Sequence, residues 1–243
     1  YIDYFSLQIY SGNSDWLDHN IKYWRFKSDK YNPQARYGLD GRWRWLVYDL
    51  DKGFEDQNYN GLSIFAAKLP SELQFAPVLI NRLLKNNSFR FDFINRQADL
   101  LNTIFRPSEV LPKIEVMYNA IKDEIPSHLE KWAGSLDFKQ RPSFASVEEW
   151  EANVQQLRDF AVARPDIVRR QYVEYFKLGG TTNIKVKSNT PQAGSIIISS
   201  VEVTNTPVEL TYFQDVPIPV KAVPGFGYKF SHWETSGSLS KDP

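Results

Sequence analysis

The chain has 243 residues, of which 42% are hydrophobic and 15% aromatic, with 29 basic and 29 acidic side chains. That supplies a sizeable core for one large domain or two smaller ones. The balanced charge gives no overall basic field and argues against nucleic acid as a partner. No apolar run reaches the roughly 18 residues that a membrane span needs. The absence of cysteine excludes disulfides, thiol catalysis and Cys-ligated zinc, and leaves the redox compartment open. Three scattered histidines, His19, His128 and His232, argue against a histidine zinc site.

The chain opens YIDYFSLQIY, with neither an initiator methionine nor a signal-peptide pattern, and reads as a fragment or a processed chain. Ile2, Phe5, Ile9 and Tyr10, with Leu7 beside them, predict a helix over 2–11 that ends near Gly12. NSDWLDHN (13–20) reads as a loop and IKYWRF (21–26) as a strand, followed by a turn-rich connection over 27–41. RWRWLVYDLD (42–51) is the clearest strand pattern. Its alternation puts Trp43, Trp45, Val47, Asp49 and Asp51 on one face, and the two strands suit a hairpin with a long loop.

Residues 52–62 read as irregular. Helical spacing then runs through 77–87, 88–105 and 110–125, with a break or kink at Pro126. Ser146 and Glu149 form a capping-box pattern at the start of a helix over 146–164. Pro165 is expected to break it, and a last helix over 166–178 ends at Gly179-Gly180. Beyond that point TNIKVKSN, GSIIISSVEV, VELTYFQ and VPIPVKAVP are β-branched, alternating segments split by Pro, Gly and Asn. They predict a separate all-β module of about 60 residues.

Two short motifs carry chemistry. Asp15 and Asn20 lie five residues apart in a loop after a helix, and Asp49 and Asp51 close a strand. Phosphoryl transfer by a kinase uses one carboxylate to take the hydroxyl proton, an Asn on Mg²⁺, and an Asp after a strand on Mg²⁺. The order of helix, DxxxxN loop, strand, loop, strand and DxG, then a helical half, is that of a kinase C-lobe, although the 27–41 loop is longer than the usual hairpin. Each motif also has a bland reading, because Asp and Asn populate turns and a DxD marks many solvated strand ends. Asp49, Asp51, Gly53, Glu55 and Asp56 also suit a loose calcium or magnesium loop. They miss the EF-hand pattern, since Gly53 falls at the fifth loop position rather than the sixth. Trp16, Trp24, Trp43 and Trp45 read either as core or as a sugar-stacking platform. Lys22, Arg25, Arg42 and Arg44 read either as contacts to phosphate or an acidic substrate, or as ordinary surface pairing.

YSGNSDWLDHNIKYWRF followed by GRWRWLVYDLDKGF resembles the CotH (spore-coat protein H) kinase family over residues 1 to about 178. That family shows a G-N-x-D-W-x-x-x-N-x-K-x-[WY]-R segment and then a W-R-W-x-x-Y-D-x-D-x-G-F segment. Gly12, Asn13, Asp15, Trp16, Asn20, Lys22, Trp24 and Arg25 carry the first. Trp43, Arg44, Trp45, Tyr48, Asp49, Asp51, Gly53 and Phe54 carry the second. The resemblance implies an atypical kinase that moves the γ-phosphoryl group of ATP to Ser or Thr of a protein substrate, with Mg²⁺ or Mn²⁺. It makes Asp15 the catalytic base, Asn20 a metal ligand, and Asp51 or else Asp49 the second metal ligand. Lys22 and Arg25 are candidate phosphate or substrate contacts. The glycine-rich cover and phosphate-pairing lysine of an N-lobe are not legible in the chain, so it reads as a C-lobe alone that binds ATP weakly or not at all.

TYFQDVPIPVKAVPGFGYKFSHWE resembles the bacterial B-repeat or Ig-like modules of surface proteins, through Pro224, Gly227, Tyr228, Phe230 and Trp233. Tyr228 and Phe230 alternate onto one face, Trp233 is expected to plug a small core, and GSLSKDP reads as a loop before further structure. That likeness implies an extracellular or cell-surface bacterial location, with cell-surface or glycan contact through the β module. The expected fold is therefore α+β. A mostly helical, protein-kinase-like C-lobe with a short β hairpin at the site (1–178) is followed by a linker (179–182) and a small sandwich-like all-β module (183–243). A second class of function fits the same residues: a non-catalytic surface binding or adhesion protein on a kinase-like scaffold.

Overall fold

A computed structural model describes residues 1–17, 20–66, 75–132 and 144–236. It shows an α+β fold in which six α-helices and three small antiparallel sheets are described. The first helix, Ile2–Ser11 (α1), lies at the centre. Seven of its ten residues are buried, including the polar Ser6, Gln8 and Ser11. A helix buried nearly all round is one enclosed by other elements. Here these are the helices Asn87–Asn102 (α3) and Val147–Phe176 (α6) and the 3₁₀ segment Gly61–Ala66. Aromatic rings fill the space: Phe5 meets Trp16 edge-on at 4.9 Å, and Tyr10 stacks on Phe105 at 4.1 Å.

Between α1 and the helical part the chain forms a hairpin, Lys22–Trp24 (β1) against Arg44–Leu46 (β2), with Tyr23 opposite Trp45. This is the expected pairing, but the second strand is much shorter than the alternation over 42–51 suggests. Asp49 takes a left-handed backbone, φ 54°, so the strand cannot run on to Asp51 and the two carboxylates do not share a strand face. Asp tolerates that conformation better than most residues.

Helices Phe75–Leu83 (α2), α3, Pro107–Ile121 (α4) and Ile125–Trp132 (α5) follow. The side chain of Asn86 caps α3 by accepting from the backbone of Phe89. The chain breaks at the 3₁₀ turn Lys122–Glu124, just ahead of Pro126. Pro126 itself sits in the first turn of α5, where its missing N–H costs nothing. A satellite core of Ile125, Trp150 and Val154 joins α5 to α6, and Tyr118 of α4 stacks on Trp150.

The expected break at Pro165 does not occur: α6 is one helix of 30 residues. Proline removes one hydrogen bond of the ladder. Phe160, Ala161, Arg164, Pro165, Ile167 and Val168 are all buried around it, so packing on both sides holds the axis together. Ser146 caps this helix as its pattern predicts, accepting from the backbone of Glu149.

After Gly179-Gly180 come the strands Thr181–Val186 (β3), Gly194–Ile198 (β4), Val201–Val203 (β5), Val208–Phe213 (β6) and Val220–Pro224 (β7). β3 pairs with β6, and β4 lies between β5 and β7. β6 lies on α3, and one hydrophobic core runs from Phe5 and Ile9 through Phe93 and Tyr172 to Ile198, Leu210, Tyr212 and Phe213. Trp233 is half-buried against this core, while Tyr228 and Phe230 are exposed. Among the described residues no helix is long and apolar enough to cross a membrane. Asp18 and His19 of the DWLDHN stretch and the GSLSKDP loop lie outside the described residues.

Candidate functional site

The two sequence motifs meet at the C-terminal end of α1. Gly12 closes the helix in a left-handed conformation, φ 64°, and its N–H returns to the carbonyls of Gln8 and Ile9. A side chain here would also approach the carbonyl of Asp56 and the guanidinium of Arg164. The turn that follows runs beside residues 49–54 and is joined to them by backbone hydrogen bonds. Phe54 N–H donates to the Ser11 carbonyl (2.6 Å) and Ser14 N–H to the Lys52 carbonyl (3.3 Å). The Asn13 amide donates to Gln8 Oε1 (3.0 Å) and to the Asp49 carbonyl (3.5 Å).

Gly53 completes the join. A Cβ there would lie 3.1 Å from the Leu50 carbonyl and 3.2 Å from Ser11 Cβ, so a side chain would have to push these neighbours back by a few tenths of an ångström. Phe54 then inserts between Tyr10 and Phe160. The glycines, the asparagine and the phenylalanine of the two motifs are thus the residues that lay one loop against the other.

Within the first loop, Asn20 Nδ2 donates to Asp15 Oδ1 at 3.0 Å. Asn20 and Leu17 both have positive φ, and Trp16, next to Asp15, is fully buried, with its indole N–H on the Tyr4 hydroxyl at 3.0 Å. Trp16 therefore anchors the loop, while Asp15 stays half-exposed. Asp49 and Asp51 are exposed, and neither carboxylate is hydrogen-bonded or ion-paired among the described residues. No three His, Cys, Asp or Glu side chains among the described residues converge as a metal cluster, which includes the acidic run 49–56. In that run Asp56 instead accepts from the Asn58 backbone and Glu55 lies 3.8 Å from Lys52.

Lys22 places its ammonium 4.4 Å from the centre of the Tyr48 ring, and Arg25 lies 4.9 Å from that of Trp43. Arg44 grips Asp40 with two hydrogen bonds, 2.7 and 2.9 Å, holding that carboxyl below its usual range, and Arg42 bonds the Tyr31 hydroxyl. The four tryptophans do not form one platform. Trp16 is core, Trp45 packs edge-on against Tyr1, and only Trp24 and Trp43 are exposed.

Two residues that the motifs do not contain hold this corner. Arg164 is fully buried and donates to the carbonyls of Ile9, Tyr10 and Gln57. Gln171, two turns on, donates to those of Asn58 and Tyr59. Both lie on the buried face of α6, and a polar residue in register with Phe160, Ile167 and Val168 is the signal that would have found them.

A model of the CotH kinase protein family matches residues 1–168, a span that holds both motifs, and the chain belongs to that family. No curated protein and no solved structure matches it significantly.

Proposed function

We propose that this corner is the catalytic-loop half of a protein kinase: residues 1–178 form a kinase-like C-lobe, and the parent protein transfers the γ-phosphoryl group of ATP to a Ser or Thr hydroxyl of a protein. The observation that carries the proposal is the Asn20–Asp15 hydrogen bond in a loop sewn to the Asp49–Phe54 segment. The bond fixes one Asp15 oxygen and leaves the other to orient the acceptor hydroxyl and take its proton. Asn20 uses its amide N–H₂ on Asp15, so its carbonyl oxygen is free to ligate.

Asn20, Asp51 and Asp49 would hold Mg²⁺. The donors are all oxygen, and the two open carboxylates suit an ion that keeps several waters and takes only one or two carboxylates besides substrate phosphates. An ion held there would supply charge neutralisation for the phosphates. The chain's own contribution is positioning, which accounts for much of phosphoryl-transfer catalysis. Lys22 and Arg25, at the start of the hairpin, are the candidate contacts to phosphate or acceptor. The likeness of residues 183–243 to surface modules supports an extracellular or cell-surface setting.

The test is transfer of ³²P from γ-labelled ATP by the full-length protein. Asp15→Ala and Asp51→Ala should each abolish transfer with the melting temperature unchanged. Undiminished transfer by either variant would overturn the assignment.

A further inference from the structure

A cavity lies elsewhere, in the β-rich part. It has a volume of about 590 Å³, and residues 185–234 supply all its walls, so it shares nothing with the α1 corner. Lys185 and Lys187 stand on one side, at the end of β3, and Lys229 on the other, in the segment after β7. None of the three forms an ion pair among the described residues. The one acidic residue in the walls, Glu234, faces His232 at 3.2 Å. Three ammonium groups thus stand around a concave surface with no ion pair among the described residues, although Glu209 lies opposite Lys185 on β6.

Aromatic rings line the same surface. Tyr228 and Phe230 are 47% and 45% exposed, and Phe230 rests against Trp233 at 4.9 Å between ring centres. Trp233 is in turn seated on the hydrophobic core, so the exposed rings have a firm base. Asn189 and Thr190 add side-chain polar groups that bond to no other described residue.

We propose that this trough binds an acidic carbohydrate chain, with the apolar face of a pyranose ring on Tyr228 or Phe230 and its carboxylates among Lys185, Lys187 and Lys229. Each feature selects part of that ligand. Unpaired lysines ask for anions and, being flexible point charges, do not require one fixed geometry. Exposed rings regain the burial they lack when a sugar's C–H face covers them. Free amide and hydroxyl groups suit a ligand rich in hydroxyls, whereas an apolar peptide would leave them unpaired. The volume falls within the range of ligand sites, about 300–1,000 Å³. The site is independent of the phosphoryl-transfer reading, and either can fail alone.

The experiment is titration calorimetry of the 243-residue chain at low ionic strength with three probes: an oligogalacturonate, its fully methyl-esterified form, and poly-glutamate of matched charge. Oligogalacturonate should bind and the methyl ester should not. Lys185→Gln, Lys229→Gln and Tyr228→Ala, all at exposed positions, should each weaken binding about tenfold, equivalent to about 1.4 kcal/mol, with the melting temperature unchanged. Asp15→Ala should bind as the unaltered chain does. The proposal is overturned if oligogalacturonate fails to bind at millimolar concentration. It is also overturned if poly-glutamate binds equally well and Tyr228→Ala changes nothing, since charge alone would then explain the result.

Discussion

Arg164 donates from Nε to the carbonyl oxygen of Tyr10 at 2.8 Å, across 154 positions of sequence. Its other two nitrogens reach the carbonyls of Ile9 and Gln57, each at 2.5 Å. One guanidinium therefore closes the end of α1 and ties to it the loop that leaves Gly53. Burial pulls the group down to about 10, still far enough above neutrality to keep it charged. Replacing it with Met leaves the carbonyls of Tyr10 and Gln57 without this donor, while that of Ile9 keeps only the Gly12 N–H. Arg164→Met should lose about 3 kcal/mol or more of stability in urea unfolding, and Arg164→Lys should lose less. A loss below about 1 kcal/mol would mean that the helix end is held by something else.

Gly53→Ala tests the join from the other side. The new methyl would press on the Leu50 carbonyl at 3.1 Å and on Ser11 at 3.2–3.3 Å, contacts largely to backbone and so slow to yield. Overpacking of this kind costs roughly 1–3 kcal/mol. The same push lifts Asp49 and Asp51 away from the Asp15 loop. We expect a lowered melting temperature and a fall in ³²P transfer by the full-length protein, the latter larger than the loss of folded protein explains. Full transfer by a stable Gly53→Ala variant would show that the two loops need not touch.

The acid limb of stability follows from paired carboxylates. Asp40 is held below its usual range chiefly by the hydrogen bonds of Arg44, Glu109 by Arg106, and Glu115 by Arg158. Each folded group thus gives up its negative charge at a lower pH than the unfolded one. Their contribution is present above the unfolded carboxylate range, near pH 4, and is lost as pH falls through the folded values. The melting temperature should be level from about pH 7 to 5 and should fall below about pH 4. Asp40→Asn should soften that fall, and a fall already complete at pH 5 would point to other groups.

The elements whose signals are local were the legible ones. Gly12 as a helix stop, Ser146 as a cap and the β-branched strands after Gly179 all formed where their patterns place them. Pro165 misled, because a proline's local cost is modest beside the burial of Phe160, Ile167 and Val168 on either side of it. The alternation over 42–51 misled at its end, because Asp49 turns left-handed where residues 49–54 fasten to Ser11 and Asn13, and no local pattern records a partner so distant. Arg164 and Gln171 stayed hidden for a related reason. Charged and amide residues on a helix are read as solvent-facing, and only carbonyls from other parts of the chain make these positions core.

Asp99 makes the strongest case that the helical and β parts fold together. Its carboxylate, fully buried in α3, accepts from the Tyr212 hydroxyl (2.7 Å), from both the hydroxyl and the N–H of Ser200 (2.5 and 3.0 Å), and from the Ser199 hydroxyl (2.7 Å). Burial first, and then this carboxylate, push the Tyr212 hydroxyl well above its usual range, so it remains a donor at any working pH. One turn to either side, Asn95 donates to the Pro217 carbonyl, and Asn102 exchanges two hydrogen bonds with the backbone of Thr211. Phe213 stacks on Tyr172 of α6 at 5.6 Å. A chain cut at residue 178 would strip the buried Asp99 of all four of these donors and Tyr172 of its stacking partner Phe213. We expect residues 1–178 alone to lose cooperative thermal unfolding. Asp99→Asn, which offers one acceptor oxygen to four donors, should cost about 2–4 kcal/mol in the full chain. A sharp transition for residues 1–178 within a few degrees of the whole chain would show instead that the strands are a passenger on a self-sufficient helical unit.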